Sequence, residues 1–527
     1  MSSHIADTSG KPRMTAPQRP TPVVVLDGHG LPVPDVVRLA DSAARPVPGT
    51  DAMKRVEESW NAAREIAAWG RVYGRSTGVG ANRNEDVPTE AAADHGLRLL
   101  RSHAGAIGEE LPARQVRAML AVRANQLLAG GAGLRPTVVT ALCEALETGA
   151  YPVVNEFGSV GTGDIAALAQ MGLALAGEHP WRGDGAPEAQ PLDNNDALAL
   201  ISSNALTLGQ SALALHDLRD LISATQLVAA LSLLAVDGSY EAYALPVHEA
   251  RHHRGSYDVA ARMRAILGAP ERPTPPLGRI QDPYGFRCVP QIHGPAQDAA
   301  DALEDVLTVE INAAAENPLI SPQDMAAYHH GGFYMAQLAL ALDHFRLAIA
   351  QVARLSTSRL STLNEPSYTR LRPFLADGEA ASSGVMILEY AAGAALGDLR
   401  AFAAPASLGH AVLSRGVEEQ ASFASLAARQ TLRVCDAYRL VVGCELVAAV
   451  RALRQRDMRP DPELPVGRAF ALADSVLDPD ATDRPLTEDV TRAAAGLLDS
   501  FTRIADGTDG PATATATAGS DRPGGTE

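Results

Sequence analysis

A tyrosine in a glycine-rich segment is the first feature of this sequence that could carry chemistry. Tyr73 is followed by Gly74, Thr77, Gly78 and Gly80, a spacing that does not support a stable helix. A phenol on a mobile loop can close over a substrate and transfer a proton. Taken alone, the pattern is also typical of an ordinary turn with a packed tyrosine.

A second segment joins a glycine-rich turn to an apolar run. Residues 158–164 read Gly-Ser-Val-Gly-Thr-Gly-Asp, and the apolar run predicts a helix over 165–177 with Asp164 at its N-cap. Backbone N–H groups at such a helix start stabilise negative charge. The segment has neither the Gly-Lys-Ser/Thr of a phosphate-binding loop nor the spacing of a dinucleotide fingerprint. An anion-stabilising loop and a plain tight turn both fit it.

A third segment, residues 279–294, is polar and punctuated by proline. Tyr284 and Arg287 lie close together in it, after Gln281-Asp282-Pro283. A guanidinium can bind a carboxylate through two parallel hydrogen bonds. The alternative is a structural arginine that pairs with Asp282 or Glu310.

A zinc-like pattern occurs at His248-Glu-Ala-Arg-His252. Two histidines four residues apart can share a helix face and bind zinc, with the glutamate as base. Pro246 and Gly255 leave room for less than three helical turns, and no third ligand stands at a familiar spacing. We therefore predict no metal site here, and we interpret His329-His330 as part of a loop.

These segments must be positioned by helices, because helical periodicity dominates the rest of the chain. Apolar residues recur every three or four positions and predict a bundle of long helices. The segments with this pattern are 116–128, 299–311, 338–355, 384–405 and 418–453. The fold class predicted is mainly α, a long-helix bundle with a smaller N-terminal domain of helices and glycine-rich active-site loops.

Composition limits the domain organisation and the function classes. Of 527 residues 46% are hydrophobic and only 4% aromatic, which suits a large core of small and branched side chains. We predict flexible tails at 1–48 and 506–527, a catalytic-loop domain at 49–215 and a helical bundle at 216–505. A short strand at 23–26 is the one element expected in the first tail.

Charge and hydropathy indicate a cytoplasmic enzyme. A formal charge of −17 argues against nucleic-acid binding, which needs a concentrated cationic surface. No secretory signal pattern precedes residue 22, and the apolar runs are shorter than the roughly 20 residues of a membrane span. We expect neither nucleic acid nor membrane as a partner.

Taken together, the segments resemble the aromatic amino acid ammonia-lyase family, in order and spacing, from about residue 60 to 500. The matching blocks are Tyr73-Gly-x-x-Thr-Gly-x-Gly, Ser102-His-Ala-Gly, Arg123-Ala-Asn, Gly158-Ser-Val-Gly, Gln281-Asp-Pro-Tyr-x-x-Arg287, Glu316-Asn-Pro-Leu and Glu418-Glu419. The family also has a His-x-x-x-x-His stretch without metal at the zinc-like position.

The resemblance implies a homotetramer of long helices, with each active site built by loops from three subunits. It implies Tyr73 as the base that takes the β-proton, Arg287 as the carboxylate clamp and Tyr284 as support for the electrophile and leaving group. His103 and Glu418 fall where histidine-specific members recognise the substrate side chain. The family's electrophile is a methylidene-imidazolone, which forms from an internal Ala-Ser-Gly by cyclisation and dehydration.

That tripeptide is missing here. The segment of this chain that corresponds to the family's Gly-Ser-Val-Gly-Ala-Ser-Gly-Asp is one residue shorter. Thr162-Gly163 stands in place of Ala-Ser-Gly. Without a serine hydroxyl to lose as water, the standard group cannot form. Either Gly161-Thr162-Gly163 cyclises to an ethylidene analogue, or the site works without a prosthetic group. We favour the second, because the extra methyl would crowd a tight loop and hinder attack.

Two further blocks depart from the family. Its Asn-Gly-Thr reads Ser202-Ser203-Asn204, and its Gly-Gly-Asn-Phe-His reads Gly-Gly-Phe-Tyr-Met at 331–335. We predict a lyase that acts on a histidine-like or aromatic amino acid, or a related carboxylate, by elimination or addition at Cα–Cβ. The alternative is a non-catalytic homologue that serves as a binding or partner subunit. The substrate-binding residues predicted are His103, Ser202, Asn204, Gln281, Tyr334 and Glu418.

Overall fold

The fold, described by a computed structural model for residues 21–88, 90, 92–274 and 279–508, is mainly α-helical. The α-helices are α1 (Val33–Ala40), α2 (Thr50–Trp69), α3 (Ala92–His103), α4 (Ala113–Leu128), α5 (Pro136–Thr148), α6 (Ile165–Leu175), α7 (Ala197–Ile201), α8 (Ala205–Ala235), α9 (Leu245–Glu249), α10 (Arg254–Leu267), α11 (Tyr284–Arg287), α12 (Val289–Ile311), α13 (Ala336–Leu363), α14 (Pro366–Thr369), α15 (Ile387–Phe402), α16 (Ala424–Gln455), α17 (Pro465–Val476), α18 (Thr487–Arg492) and α19 (Leu498–Ala505). A π-helical segment, Ala493–Leu497, joins the last two.

Short strands accompany the helices in four two-stranded sheets. The strands are β1 (Val23–Leu26), β2 (Arg45–Pro48), β3 (Ile107–Glu110), β4 (Tyr151–Pro152), β5 (Asn155–Phe157), β6 (Trp181–Arg182), β7 (Leu319–Ser321) and β8 (Ala326–Tyr328). β1 pairs with β2 in parallel, and the pairs β3–β5, β4–β6 and β7–β8 are antiparallel.

The core of the bundle is built around α8. Most of this helix is buried, and it packs against α4, α12 and α16, while α16 also packs against α13 and α15. Residues 197–235 are long and apolar enough for a membrane span, but 78% of the most apolar window is buried inside the protein. The segment is therefore a core helix of the bundle.

The helices predicted from periodicity are confirmed. The stripes at 116–128, 299–311 and 338–355 lie in α4, α12 and α13. The segments at 384–405 and 418–453 correspond to α15 and α16, but α16 begins only at Ala424, so Glu418 lies in a loop and not in a helix as predicted. The helix predicted over 165–177 is α6, with Asp164 at its N-cap position. The structure extends α12 and α13 beyond the predicted segments because the helix ends carry a weaker apolar stripe.

The prediction of a flexible tail over 1–48 is wrong for residues 21–48. β1, α1 and β2 form an ordered unit whose Leu26 and Leu39 are fully buried, and α1 packs against α4 and α8. Proline at the start of α1 and in the edge strand β2 removes N–H groups that neither position needs, so a proline-rich composition is compatible with order here. Residues 1–20 lie outside the described residues.

The predicted domain boundary at 215/216 is also wrong, because it falls inside α8. α8 contacts helices from both predicted domains, and one apolar cluster runs from Val24 to Ile504. The described part of the chain therefore shares a continuous core across this position. Residues 506–508 close α19, and the rest of the predicted C-terminal tail lies outside the described residues.

The zinc-like histidines are not on one helix face. α9 ends at Glu249, so His252 lies beyond it and stacks on Tyr257, with ring centroids 4.5 Å apart. The Nε2 atom of His248 lies 3.0 Å from the carbonyl oxygen of Ala242. Each imidazole thus has a structural contact of its own.

Candidate active site

A cavity of about 310 Å³ lies where several non-helical segments of the chain meet. Tyr73, Thr162 and Glu418 face it together, from three loops that are far apart in sequence. The complete lining in the described part of the chain is Tyr73, Gly80, Arg83, Thr162, Gly163, Ile165, Leu198, Ser202, Ser203, Asn317, His329, Phe333, Val417 and Glu418.

The Tyr73 loop is held in a conformation that points the phenol into the cavity. The backbone N–H of Gly80 donates to the Tyr73 hydroxyl oxygen at 2.7 Å. Gly80 has φ of +54°, and the N–H of Ala81 donates to Ser414 Oγ at 3.0 Å. The loop is therefore tied both to its own tyrosine and to the loop that carries Glu418.

The Tyr73 phenol is half-buried, and burial raises its pKa above the ordinary tyrosine value. The hydrogen bond from Gly80 lowers that pKa, the negative charge of Glu418 raises it, and the positive charge of Arg83 lowers it. The Gly80 N–H and the Arg83 cation therefore offset only part of the effect of burial, which remains the largest influence on this pKa. A phenolate is the form that can accept a proton.

The loop at 158–164 is clamped from three sides. Ser422 Oγ donates to the Gly161 carbonyl at 2.7 Å, and the N–H of Phe423 donates to the Val160 carbonyl at 2.8 Å. On the other side, the N–H of Gly163 donates to Asn204 Oδ1 at 3.1 Å. The backbone groups of Gly161 and Gly163 are thus occupied by the protein, and Thr162 carries the side chain that the tripeptide presents to the cavity.

The family's standard electrophile does not fit this loop. Gly161 has φ of +88°, and a Cβ at this position would lie 2.2 Å from Ser422 Oγ and 2.8 Å from the backbone nitrogens of Phe423 and Ala424. An alanine at this site is therefore excluded by backbone contacts, and the next residue is threonine instead of serine. The Oγ1 atom of Thr162 lies 3.5 Å from Glu418 Oε2.

Asp164 anchors the loop to α8 without using its carboxylate as a helix cap. The side chain accepts hydrogen bonds from Thr207 N at 2.7 Å and from Thr207 Oγ1 at 2.9 Å. Burial raises the pKa of this carboxyl, and the donors from Thr207 oppose the shift. Asp164 therefore fixes where the loop ends and α6 begins.

In the Ser202-Ser203-Asn204 block, the two serines line the cavity and the asparagine binds the loop at 158–164. Ser202 faces the cavity, and its Oγ accepts from the Asn317 N–H at 2.9 Å. Asn204 is fully buried behind the Gly163 loop and donates to the Phe333 carbonyl at 2.8 Å. The displaced amide is thus a brace for the loop, and it is not part of the cavity lining in the described structure.

A buried ion pair supports the segment that carries Asn317. Arg123 donates to Glu316 at 2.7 Å, and both side chains are almost completely buried. Arg123 also donates to the carbonyls of Leu200 and Ala199, just before the serine pair. One guanidinium therefore positions two cavity segments at once.

Tyr284 and Arg287 form a second cluster, apart from the cavity. Tyr284 is 69% exposed, and the Arg287 guanidinium lies over its ring, 4.9 Å from the centroid. Arg287 also donates to the Asp282 carbonyl at 2.6 Å. Neither residue, nor Gln281, belongs to the lining of the Tyr73 cavity within the described ranges.

His103 and Tyr334 also lie away from the Tyr73 cavity. His103 Nδ1 is 2.8 Å from the Leu99 carbonyl, and the residue lines a neighbouring space of about 400 Å³ behind the Tyr73 loop. Tyr334 is 37% exposed, next to Phe333, which does line the cavity. The site residues predicted from sequence are therefore brought together only in part by one chain.

Sequence reasoning missed the polar cavity residues Arg83, Asn317 and His329, and it left Ser203 out of the predicted site. The His329 ring meets the Tyr73 ring edge-on, with centroids 6.2 Å apart. Arg83 lies at the exposed rim and donates to the Gly80 carbonyl at 3.4 Å. Asn317 lies within the Glu316-Asn-Pro-Leu block that matches the family, and this block was the feature of the sequence that could have identified it.

A phenol, a carboxylate and a hydroxyl thus face one cavity of a long-helix bundle. The sequence profile of the aromatic amino acid lyase family matches residues 31–474. Histidine ammonia-lyase from Geobacillus thermodenitrificans is 33% identical over 450 residues, which cover 82% of this chain and 89% of that protein.

Two solved structures extend the similarity to the fold. Histidine ammonia-lyase from Trypanosoma cruzi has a TM-score of 0.84 at 26% identity, over 92% of this chain and 95% of that one. Ergothionase from Treponema denticola, an ergothioneine-degrading enzyme, has a TM-score of 0.84 at 26% identity, over 92% and 99%. The chain belongs to the aromatic amino acid lyase family and is a carbon–nitrogen lyase.

Proposed function

We propose that this enzyme eliminates an amine from, or adds one to, the Cα–Cβ unit of a histidine-like or aromatic amino acid or a related carboxylate, without a methylidene-imidazolone. The observation that carries the proposal is the pairing of a positioned phenol, Tyr73, with a threonine, Thr162, at the place of the family's serine in one cavity. The similarity to histidine ammonia-lyases supports the substrate class.

In this mechanism Tyr73 removes the β-proton. Gly80 orients the phenol and stabilises its anionic form, and Arg83 adds a positive charge at the rim. The electron pair of the C–H bond forms the Cα=Cβ bond, and the amine leaves with the electrons of the C–N bond. Glu418 faces this amine or the substrate side chain from across the cavity.

We further propose that Arg287 binds the substrate carboxylate in a cavity of a neighbouring copy. Its guanidinium lies over the exposed ring of Tyr284 on α11, while Phe286 anchors this short helix in the core. Exposed apolar side chains on α13 and α15, such as Leu347 and Tyr390, and a groove of about 820 Å³ between these helices support a self-association surface. The assembly we propose is a homotetramer, in the cytoplasm.

The test is a substrate panel with two measurements. The panel holds histidine, phenylalanine, tyrosine and ergothioneine, the last because a structurally similar enzyme degrades it. New conjugated absorbance with release of amine is the expected result, and Tyr73→Phe should lower the rate about 100- to 10,000-fold. Tyr257→Phe, on α10 and outside the described lining of the cavity, is the matched control for loss of a phenol.

Intact mass separates this proposal from the family's usual chemistry. The wild-type chain is expected at its unmodified mass, whereas an imidazolone would make it two waters lighter. Absence of turnover with every compound of the panel would contradict the proposed activity.

A further inference from the structure

The tripeptide that should supply an electrophile instead supplies a hydroxyl to the cavity. Thr162 Oγ1 lies 3.5 Å from Glu418 Oε2, and both residues line the space next to Tyr73. The peptide groups on either side are taken up by Ser422 and Asn204. Thr162 is therefore positioned rigidly while its hydroxyl can turn between Glu418 and a ligand.

The electrostatics of the cavity favour a cation opposite the base. Tyr73 as phenolate and Glu418 as carboxylate would place two negative charges around the ligand, and Arg83 is the rim cation. His329 presents its ring edge-on to Tyr73. A substrate ammonium beside Glu418 would offset this excess of negative charge.

Elimination needs the leaving nitrogen in its cationic form. The balanced step starts from phenolate and a substrate with a β C–H and an α C–NH₃⁺. The proton moves to the Tyr73 oxygen, the C–H electrons form Cα=Cβ, the C–N electrons leave with nitrogen, and neutral ammonia departs. No further proton donor is required if the amine is protonated when the bond breaks.

We propose that the Thr162 hydroxyl and the Glu418 carboxylate accept hydrogen bonds from the substrate's α-ammonium group and hold it protonated as it leaves. This proposal rests on the proposed function and makes Thr162 a catalytic residue in its own right. The site thereby activates the leaving group by a charged hydrogen-bonded contact in place of a covalent one.

The test compares Thr162→Val and Thr162→Ser on two substrates. Valine keeps the shape and removes the hydroxyl, while serine keeps the hydroxyl. With a primary-amine substrate, Thr162→Val should lower kcat roughly 10- to 100-fold, the range for a hydrogen bond to a charged group, with a small change in KM. Thr162→Ser should recover most of this loss, at an unmodified intact mass.

The second substrate is the N-trimethyl form of the same amino acid. Its nitrogen carries a positive charge but no N–H, so it cannot donate to Thr162. Thr162→Val should therefore leave kcat for this substrate within about twofold, which a merely structural role of Thr162 would not do. Equal losses on both substrates, or no loss on either, would overturn the proposal.

The intact mass of the wild-type chain tests the proposal independently of turnover. A chain two waters lighter at residues 161–163 would mean that the hydroxyl has been consumed, and the proposal would be wrong. Full activity of Thr162→Val beside an inactive Tyr73→Phe would remove the role of Thr162 and leave the proposed function standing. An inactive wild-type chain would remove both.

Discussion

Charges around Tyr73 should set the pH dependence of the reaction. Burial raises the pKa of this phenol, so activity should increase with pH as the phenolate forms. Because Arg83 lowers this pKa and Glu418 raises it, Arg83→Gln should move the alkaline rise to higher pH and Glu418→Gln to lower pH. The measurement is kcat/KM against pH for both variants on the N-trimethyl substrate, whose nitrogen stays charged at every pH.

Arg71→Gln is the matched control for the loss of an arginine. Arg71 holds the same loop through Asp86, at 2.6 Å, and lies outside the described lining of the cavity. Its profile should keep the wild-type midpoint. Shifts of the same sign in Arg83→Gln and Glu418→Gln would show that charge at Tyr73 does not control the rate.

Gly161 should tolerate no side chain. Alanine there would combine a positive φ with a Cβ 2.2 Å from Ser422 Oγ, and backbone strain of this kind costs of order 1–3 kcal/mol. Gly161→Ala should lower the free energy of unfolding in urea and abolish activity. Gly105→Ala, where nothing lies within 4 Å of the added Cβ, is the control and should change stability by less than about 1 kcal/mol.

At the scale of elements, a buried ion pair links the helical core to the cluster of Tyr284 and Arg287. Arg359 donates to Glu445 at 2.6 and 2.8 Å, both side chains are fully buried, and Arg359 also donates to the Gly285 carbonyl in α11 at 3.2 Å. Ser232 and Ser356 complete the hydrogen bonding of the carboxylate. α13 and α16 thus position the short helix that carries Tyr284 and Arg287.

Arg359→Met should therefore destabilise the fold by about 3–5 kcal/mol, because it leaves the Glu445 carboxylate buried without its partner. Urea denaturation measures the loss. Arg492→Met, which breaks an exposed pair with Glu488 on α18, should cost less than about 1 kcal/mol. A similar small cost for both would show that burial of the Arg359 pair is not important for stability.

The helices could be predicted from sequence because each repeats its apolar residues over several turns, as in α4 and α13. The strand predicted at 23–26 is confirmed as β1, but α1 and β2 were not predicted, because they are only eight and four residues long and contain proline. The pairing of Tyr73 with Thr162 was expected from family blocks. Arg83 and His329 were missed because they become neighbours of Tyr73 only through folding.

At the scale of the whole molecule, the separation of Tyr73 from Arg287 allows a mixing experiment. Tyr73→Phe and Arg287→Ala should each be inactive as pure proteins. If Arg287 completes a neighbour's cavity, chains of the two variants unfolded together and refolded should regain activity at the sites that combine both wild-type residues. The readout is the rate of amine release after refolding.

Tyr73→Phe mixed with Glu418→Gln is the matched control. These residues line the same cavity of one chain, so every mixed site carries one of the two defects, and the mixture should show no activity beyond that of the Glu418→Gln chains it contains. Recovery in this control, or none in the first mixture, would contradict a site shared between subunits.

The exposed apolar face of α13 and α15 should hold the assembly together. Leu347 lines the groove between these helices and is 46% exposed. Leu347→Glu should convert the oligomer to smaller species, seen by size-exclusion chromatography with light scattering, and activity should fall in parallel. Val25→Glu, at an exposed position of β1, should leave the oligomer and activity unchanged.

If Arg287 and Tyr284, which lie at the outer surface, act only in a neighbouring copy, the activity of each chain depends on the protein concentration in the cell. A chain whose carboxylate clamp works only in a neighbour's cavity gains activity by mass action, so output per chain rises with expression level until assembly is complete. Newly made monomers would meanwhile leave the amino acid pool untouched. Scarcity alone would thus keep the enzyme off, with no inhibitor needed.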